Sequence, residues 1–201
     1  RPAPLGGGIF KDSWWQYHDA EFLPEFDRVV HSWDTAFKVN NYNDPSSCTI
    51  WGDKQGKWYL LERFNDRLEY PDLKQKVKQL YAKWGGAAIL IEDKASGQSL
   101  IQDLRRETDL PIVPIKVDAD KVTRAYAITG HIEAGKVLLP LKANWVIDYV
   151  AQMGQFPNGK HDDDVDSTTQ AINYLSRKRI VKNQNAFIPL PAASPFGNAW
   201  R

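Results

Sequence analysis

The 201-residue chain has few of the residues and motifs on which several common kinds of site depend. Its single cysteine, Cys48, excludes an internal disulfide framework and a zinc site built from cysteines. Its four histidines are scattered, and no apolar run is long enough to cross a membrane. The string G-x-x-x-x-G-K-[ST] is missing, so this chain does not itself carry the phosphate-binding loop of an ATPase motor.

What remains is the composition of an ordinary globular domain. Hydrophobic residues make up 42% of the chain and charged residues 25%, which is enough apolar surface for a sizeable core. The formal net charge is only +1. A total near zero can hide a local acidic cluster beside local basic surface, so the charge alone does not exclude a polyanionic partner.

The chain divides into three parts by composition. Residues 1–25, with two early prolines and a run of three glycines, are predicted to form an N-terminal connector segment. Residues 26–182 are predicted to form one folded domain. Residues 183–201, rich in Pro, Asn and Ala, are predicted to form an irregular C-terminal tail.

Within the predicted domain, hydrophobic periodicity indicates an α/β fold. Three strands come first, near residues 27–37, 47–53 and 57–67, and the turn at Gly56 joins the last two as a hairpin. Helices and strands then alternate, with helices near residues 71–84, 95–106, 120–133, 144–153 and 162–178 and strands near 87–94, 110–117 and 136–140. An antiparallel meander followed by crossover units predicts a mixed central sheet flanked by helices on both faces. This is the strand and helix order of an RNase H-like fold.

Acidic residues stand at three informative places in this order. Asp34 lies inside the first strand, and Glu92 and Asp93 end a buried strand. The last helix opens with four aspartates, Asp162, Asp163, Asp164 and Asp166. Taken singly, these acids have ordinary explanations: a hydrogen-bonded buried carboxylate, a solvent-facing strand end and helix capping.

Taken together, the acids favour a metal site. The first strand is predicted to be central, with the Glu92 strand beside it and the last helix across both, so the three sites would converge at one end of the sheet. Converging carboxylates form a hard-oxygen site suited to Mg²⁺ or Mn²⁺. Two such ions activate a water and stabilise the leaving oxygen of a phosphodiester.

The strings SWDTAFK, LIEDKASGQSLIQDL, DKVTRA, EAGKVLLP and HDDDVDS occur in this order between about residues 27 and 178. This ordered set resembles the C-terminal nuclease domain of the large terminase subunit of tailed phages and prophages. The resemblance implies an RNase H-like fold and cleavage of double-stranded DNA during phage genome packaging, with two divalent metal ions, Mg²⁺ or Mn²⁺, as cofactors. The opening PAPLGGGIFK looks like the connector that follows the ATPase domain in that family.

The resemblance also assigns roles to residues. The implied catalytic residues are Asp34, Glu92, Asp163 and Asp166, and the implied metal ligands are the same four with Asp162; the extra Asp164 blurs the register of this cluster. Candidates for supporting roles around the metals are Asp93, Lys94 and His161. Candidate DNA-binding residues are Lys121, Arg124, Arg177, Lys178 and Arg179, with an ordinary solvated surface as the alternative.

The resemblance implies several partners and a place of action. The partners are double-stranded DNA, an upstream ATPase domain of the same full-length protein, and the portal and small terminase subunit, with no membrane. The place of action is the cytoplasm of the bacterial host. Two other functions stay open: another RNase H-like nuclease, such as a Holliday-junction resolvase or a transposase core, and a non-catalytic domain that docks a packaging motor.

Overall fold

The computed structural model describes residues 8–35 and 45–177. Within these residues, seven strands form one mixed sheet in the order β1-β7-β4-β3-β2-β5-β6. The strands are β1 (Gln16–His18), β2 (Arg28–Asp34), β3 (Ser46–Lys54), β4 (Lys57–Asp66), β5 (Ala88–Glu92), β6 (Ile112–Ile115) and β7 (Val137–Pro140). Strands β2, β3 and β4 pair antiparallel, and β5 pairs parallel with both β2 and β6. The predicted meander and the central position of the first predicted strand are both confirmed.

The turn between β3 and β4 follows from its two residues. Gln55 and Gly56 have φ angles of 53° and 78°, so both lie in the left-handed region that a two-residue hairpin of this kind requires. Glycine adopts this conformation without steric cost, which explains its place at the turn. The hairpin predicted at Gly56 is therefore confirmed.

In the described residues, five α-helices cover the two faces of the sheet. They are α1 (Tyr70–Trp84), α2 (Ala95–Glu107), α3 (Lys121–Glu133), α4 (Val146–Gln155) and α5 (Asp163–Arg177). Helices α1 and α2 bury their apolar sides against one face of the sheet, around Trp33 and Ile89. Helices α3, α4 and α5 cover the other face, around Val30 and Leu90. The predicted fold class, a mixed sheet with helices on both faces, is confirmed.

The N-terminal part of the chain differs from the expectation in one respect. Strand β1 was not predicted, because three residues are too few to show an alternating pattern. It pairs parallel with β7 at the edge of the sheet, and Phe10 and Trp15 are buried in the same core as α4. Tyr17, in β1, and Phe22, after it, are 46% and 81% exposed.

Some predictions fall outside the described residues. They concern the glycine run up to Gly7, the predicted tail 183–201, and the candidate DNA-binding residues Lys178 and Arg179. In the described part of the chain, none of the helices has the length and apolar character needed to span a membrane.

The end of β5 is joined closely to the start of α2. A Cβ atom added at Gly97 would lie 1.9 Å from the backbone oxygen of Glu92, so only glycine allows this approach. The amide of Lys94 also donates to the Glu92 oxygen, at 2.9 Å. The first turn of α2 thus fixes the backbone from which the Glu92 side chain projects.

We predict that Gly97→Ala destabilises the protein by at least about 2 kcal/mol, because the added methyl group must push α2 away from β5. Gly130 is the matched control, since it also lies in a helix and a Cβ there would meet no atom within 4 Å. Gly130→Ala should stabilise the protein by about 0.5–1 kcal/mol through helix propensity. Chemical denaturation of both variants measures the difference, and equal stability of the two would contradict the close approach.

Candidate active site

Strand alternation brings the two strand-end acids together. In the parallel pairing of β2 with β5, Trp33 lies opposite Ile91, so Asp34 and Glu92 occupy the next equivalent positions on neighbouring strands. Trp33 and Ile91 face α1 and α2, and the residues that follow them therefore point to the face covered by α5. The predicted proximity of these two acids agrees with the register.

Helix α5 is held against the same end of the sheet by buried hydrogen bonds. The Ser32 hydroxyl donates to the backbone oxygen of Ser167 at 2.7 Å. The Gln170 amide donates to Ser32 Oγ at 2.9 Å and to the backbone oxygen of Trp33 at 3.2 Å. These bonds set the position of α5 beside the residue that precedes Asp34.

Asp164 anchors the first turn of α5. It is fully buried, and its Oδ2 accepts from Arg63 of β4 at 2.8 Å from Nε and 2.7 Å from Nη2. Its Oδ1 accepts from the Ser47 hydroxyl at 3.1 Å, and its backbone amide donates to Gln152 at 2.7 Å. These contacts tie Asp164 to the sheet and give it a structural role in holding the first turn of α5. The other acids at this helix start are Asp162, Asp163 and Asp166.

The acids on the sheet and on the helix influence one another's charge. The pKa of Asp34 is raised from its ordinary value of 3.8 to about 7, mainly by burial and then by the carboxylates of Asp166, Glu92 and Asp163. Lys121 opposes this rise. A carboxylate raises the pKa of another carboxylate in this way only when the two are close together and partly shielded from water. The four implied catalytic residues therefore lie together at one end of the sheet.

Helix α3 supplies the positive charge of this cluster. Lys121 Nζ lies 2.7 Å from Asp162 Oδ2 and 2.5 Å from Asp166 Oδ2, and Arg124 Nη2 donates to Asp166 Oδ1 at 2.9 Å. Burial nevertheless raises the pKa of Asp166 above its ordinary value. Lys121 and Arg124 are three residues apart on α3, so they share one side of the helix, and both contact the acids.

The residues expected in supporting roles differ in their contacts. Lys94 Nζ lies 2.5 Å from Glu92 Oε1, yet this buried oxygen accepts no hydrogen bond of good geometry among the described residues. The Asp93 amide donates to the Ile115 oxygen at 2.8 Å, which extends the pairing of β5 with β6. His161 is exposed beside Asp163, where its charge favours the carboxylate form. That influence lowers the pKa of Asp163, although burial raises it more.

The donor atoms of the cluster match a hard divalent ion. They are carboxylate oxygens, Glu92 Oε1 lacks a hydrogen bond, and within the described chain no cation pairs with Asp34. In residues 8–35 and 45–177, no three His, Cys, Asp or Glu side chains are placed as a ready-made ligand group. The lysine and arginine contacts hold several of these carboxylates, so ion binding requires side-chain rearrangement. With that rearrangement, the residue types fit the implied metals.

The family model of the terminase RNaseH-like domain matches residues 31–175. The chain belongs to this family. The terminase resemblance predicted from the ordered motifs is confirmed. No curated protein matches the sequence closely enough to count as a relative.

Solved terminase structures share the fold of this terminase domain. The large terminase nuclease of thermophilic phage G20c with bound cobalt aligns with a TM-score of 0.65 at 16% identity, covering 85% of this chain and 98% of that chain. The same nuclease with bound magnesium gives a TM-score of 0.64 at 16% identity and the same coverage. The large terminase of a second thermophilic bacteriophage gives 0.63 at 12% identity, covering 83% of this chain and 44% of that chain. This chain therefore spans less than half the length of that second large terminase.

Several residues that build the site of the terminase domain were not predicted. Arg63, Ser47 and Gln170 hold α5 in place. Ser47 and Gln170 are buried, and Arg63 is partly buried. Ser32 and Ser47 are fully buried polar residues in central strands, which require partners. Polar residues in strands predicted to be buried could therefore have been expected to form hydrogen bonds. The sequence alone does not show with which residues they form them.

The first prediction for the site separates the anchoring aspartate from its neighbour. Asp164→Asn should destabilise the protein by about 3 kcal/mol, because it leaves the guanidinium of Arg63 without its charged partner. Asp163→Asn, one residue away and half-buried, should leave the stability unchanged or slightly higher, since it removes a carboxylate whose pKa burial raises. Urea denaturation compares them, and a larger loss for Asp163→Asn would refute the assignment.

The second prediction concerns Asp34 and pH. The unfolded chain releases this proton near pH 3.8 and the folded chain near 7, so the free energy of unfolding falls as the pH rises between these values. Without metal, the free energy of unfolding of Asp34→Asn should match that of the parent near pH 4 and exceed it by about 4 kcal/mol near pH 8.

Thermal melts in EDTA across this pH range measure the effect. Asp27→Asn is the control, because the amide of Gln55 and the ammonium of Lys54 lower the pKa of Asp27. This control should lose stability near pH 8, whereas Asp34→Asn gains it. Loss of stability in both variants at that pH would contradict the account of Asp34.

Proposed function

We propose that the domain is a metal-dependent endonuclease that cleaves double-stranded DNA during phage genome packaging. The observation that carries the proposal is the cluster of Asp34, Glu92, Asp163 and Asp166, in which burial and then the neighbouring carboxylates raise the pKa of Asp34 to about 7. Such a concentration of negative charge is costly unless cations compensate it. Membership of the terminase RNaseH-like family and the metal-bound G20c structures support the same conclusion.

The residues that would hold two divalent ions, Mg²⁺ or Mn²⁺, are Asp34, Glu92, Asp163 and Asp166, with Asp162 as a further ligand. When bound, such ions supply water activation and stabilisation of the leaving oxygen in phosphodiester hydrolysis. The fold contributes position, because β2, β5 and α5 each fix one part of the ligand set. Lys94 lies close enough to Glu92 to limit its orientations.

The cations of the cluster give the acidic site a way to accept DNA. Lys121 and Arg124 bring two positive charges to the rim of a group of carboxylates that would otherwise repel a phosphate backbone. A small number of such contacts gives weak, salt-sensitive binding without sequence preference. Weak binding suits a domain tethered to a DNA motor, because the tether supplies a high local concentration.

The wider setting of the domain belongs to the same proposal. The second phage's large terminase, of which this chain covers 44%, was also solved in complex with ADP. We propose an upstream ATPase domain in the same full-length protein, the portal and the small terminase subunit as partners, and the cytoplasm of the bacterial host as the place of action.

The docking alternative, in which the acids serve only as helix caps, explains less. Asp120 does cap α3, accepting from the Thr123 amide at 3.0 Å. The Asp162 side chain precedes α5 but binds Lys121, and Asp34 lies in a strand where no helix end needs it. A capping role therefore does not explain Asp34, whose pKa is raised to about 7.

Plasmid cleavage tests the proposal. The full chain should nick or linearise supercoiled plasmid in Mg²⁺ or Mn²⁺ with little sequence preference, and EDTA should abolish this cleavage. Asp34→Asn and Glu92→Gln should reduce the rate by at least about 100-fold, because each removes an implied metal ligand. Asp53→Asn changes a buried aspartate of β3, which lies opposite Arg28 at the end of β2 away from Asp34, and serves as a control for general effects of losing a buried acid.

A substrate panel of linear duplex, four-way junction and RNA–DNA hybrid separates this function from its relatives. Preference for the linear duplex supports the terminase function, and strong preference for the junction would favour a resolvase. Cleavage in EDTA, or wild-type cleavage by Asp34→Asn, would contradict the proposed chemistry.

A further inference from the structure

A pocket of about 250 Å³ opens beside the acid cluster, between the end of β6, α3 and α5. Its walls come from residues 115–119, at and after the end of β6, and from one side of the C-terminal part of α5. The polar and charged residues that line it are Lys116, Asp118, Arg124, Gln170, Asn173, Tyr174 and Arg177. None of the roles described above uses this pocket as a binding site.

Each wall of the pocket is joined to the acid cluster. Ile115, at the start of the loop wall, pairs with Glu92 across β6 and β5. Arg124 donates to Asp166, and Gln170 donates to the backbone oxygen of Trp33, which precedes Asp34. A ligand in the pocket would therefore lie directly beside the carboxylates without occupying their place.

The charge of the lining favours an anion. Lys116, Arg124 and Arg177 are cationic, and Asp118 is the one acidic residue among the lining residues. Arg124 uses Nη2 to hold Asp166, while its Nε is buried and has no hydrogen-bond acceptor in the described chain. An arginine with one nitrogen engaged and another unsatisfied is suited to bind a second oxyanion.

Two neutral side chains of the pocket already donate to the protein. The Gln170 amide nitrogen donates to Ser32 and Trp33, and the Asn173 amide nitrogen donates to the backbone oxygen of Arg124 at 3.4 Å. The cationic side chains of the lining recognise phosphate oxygens without reading sequence.

We propose that this pocket is a phosphate subsite that binds a backbone phosphate of the DNA strand next to the one at the acid cluster. The proposal rests on the proposed nuclease function and adds a second point of contact to it. Arg124 links the two sites, because one guanidinium contacts Asp166 and also lines the pocket. The subsite fixes the position of the strand along the cluster by charge, independently of sequence.

The test measures binding apart from cleavage. A short fluorescein-labelled DNA duplex is titrated in EDTA with the full chain carrying Asp34→Asn, at two salt concentrations. Adding Lys116→Gln and Arg177→Gln together should weaken binding about tenfold and lower the slope of log affinity against log salt by about 1. Both side chains are exposed, so circular dichroism should show an unchanged fold.

Two matched variants make the test specific. Asp118→Asn removes the acidic residue of the pocket and should strengthen binding, a change of opposite sign that loss of structure would not produce. Lys57→Gln removes an exposed lysine at the β3–β4 hairpin, beyond the end of the sheet opposite the acids, and should leave binding unchanged.

The proposal is overturned if the Lys116 and Arg177 double variant binds duplex like Lys57→Gln at both salt concentrations. A second result would also overturn it: inorganic phosphate raises the thermal unfolding temperature of the protein, but the double substitution does not change the affinity for duplex DNA. The pocket would then bind only a free anion. Plasmid cleavage by the chain with an intact pocket reports separately on the nuclease function. Failure of cleavage with pocket-dependent binding would count against the metal chemistry and not against the subsite.

Discussion

The ion pair between Asp164 and Arg63 joins the first turn of α5 to the middle of the sheet, and the geometry of the site depends on it. Both carboxylate oxygens of Asp164 are used, one by Arg63 and the other by Ser47. A buried carboxylate without these partners would cost several kcal/mol, so the helix is stable in one position. That position places Asp163 and Asp166, on either side of the anchor, beside the ends of β2 and β5.

The acid cluster is a compromise between function and stability. Desolvation and mutual repulsion raise the pKa of Asp34 and of Asp166. Lys121 and Arg124 reduce the repulsion, but their contacts also hold carboxylates that an ion would need. The proposed ion binding therefore replaces internal ion pairs, and its affinity is the difference between two sets of strong interactions.

Much of the fold could be predicted because its signals are local or follow from topology. The apolar run before Glu92 indicated a buried strand, and the crossover order placed this strand beside β2. The sequence could not show which of the clustered aspartates is structural. Asp163, Asp164 and Asp166 share one short string, and only the contact of Asp164 with Arg63, 101 residues away in sequence, shows which one is structural.

Two further features lay beyond sequence reasoning for physical reasons. Strand β1 is defined by its pairing with β7 and carries too few residues for a periodic pattern. The pocket beside the cluster depends on the packing of the β6 loop against α5, and Lys116 has no property in sequence that marks it as a pocket residue. Both features arise from contacts between distant segments.

The central claim is that the carboxylates of β2, β5 and α5 form one metal-binding centre. The most direct measurement is a crystal soaked in Mn²⁺, with anomalous scattering used to locate the ions. We expect anomalous peaks in contact with carboxylate oxygens of Asp34, Glu92 and Asp166, with Lys121 displaced from Asp166. Mn²⁺ bound only at other acids, with the Lys121–Asp166 pair intact in a fully soaked crystal, would contradict it.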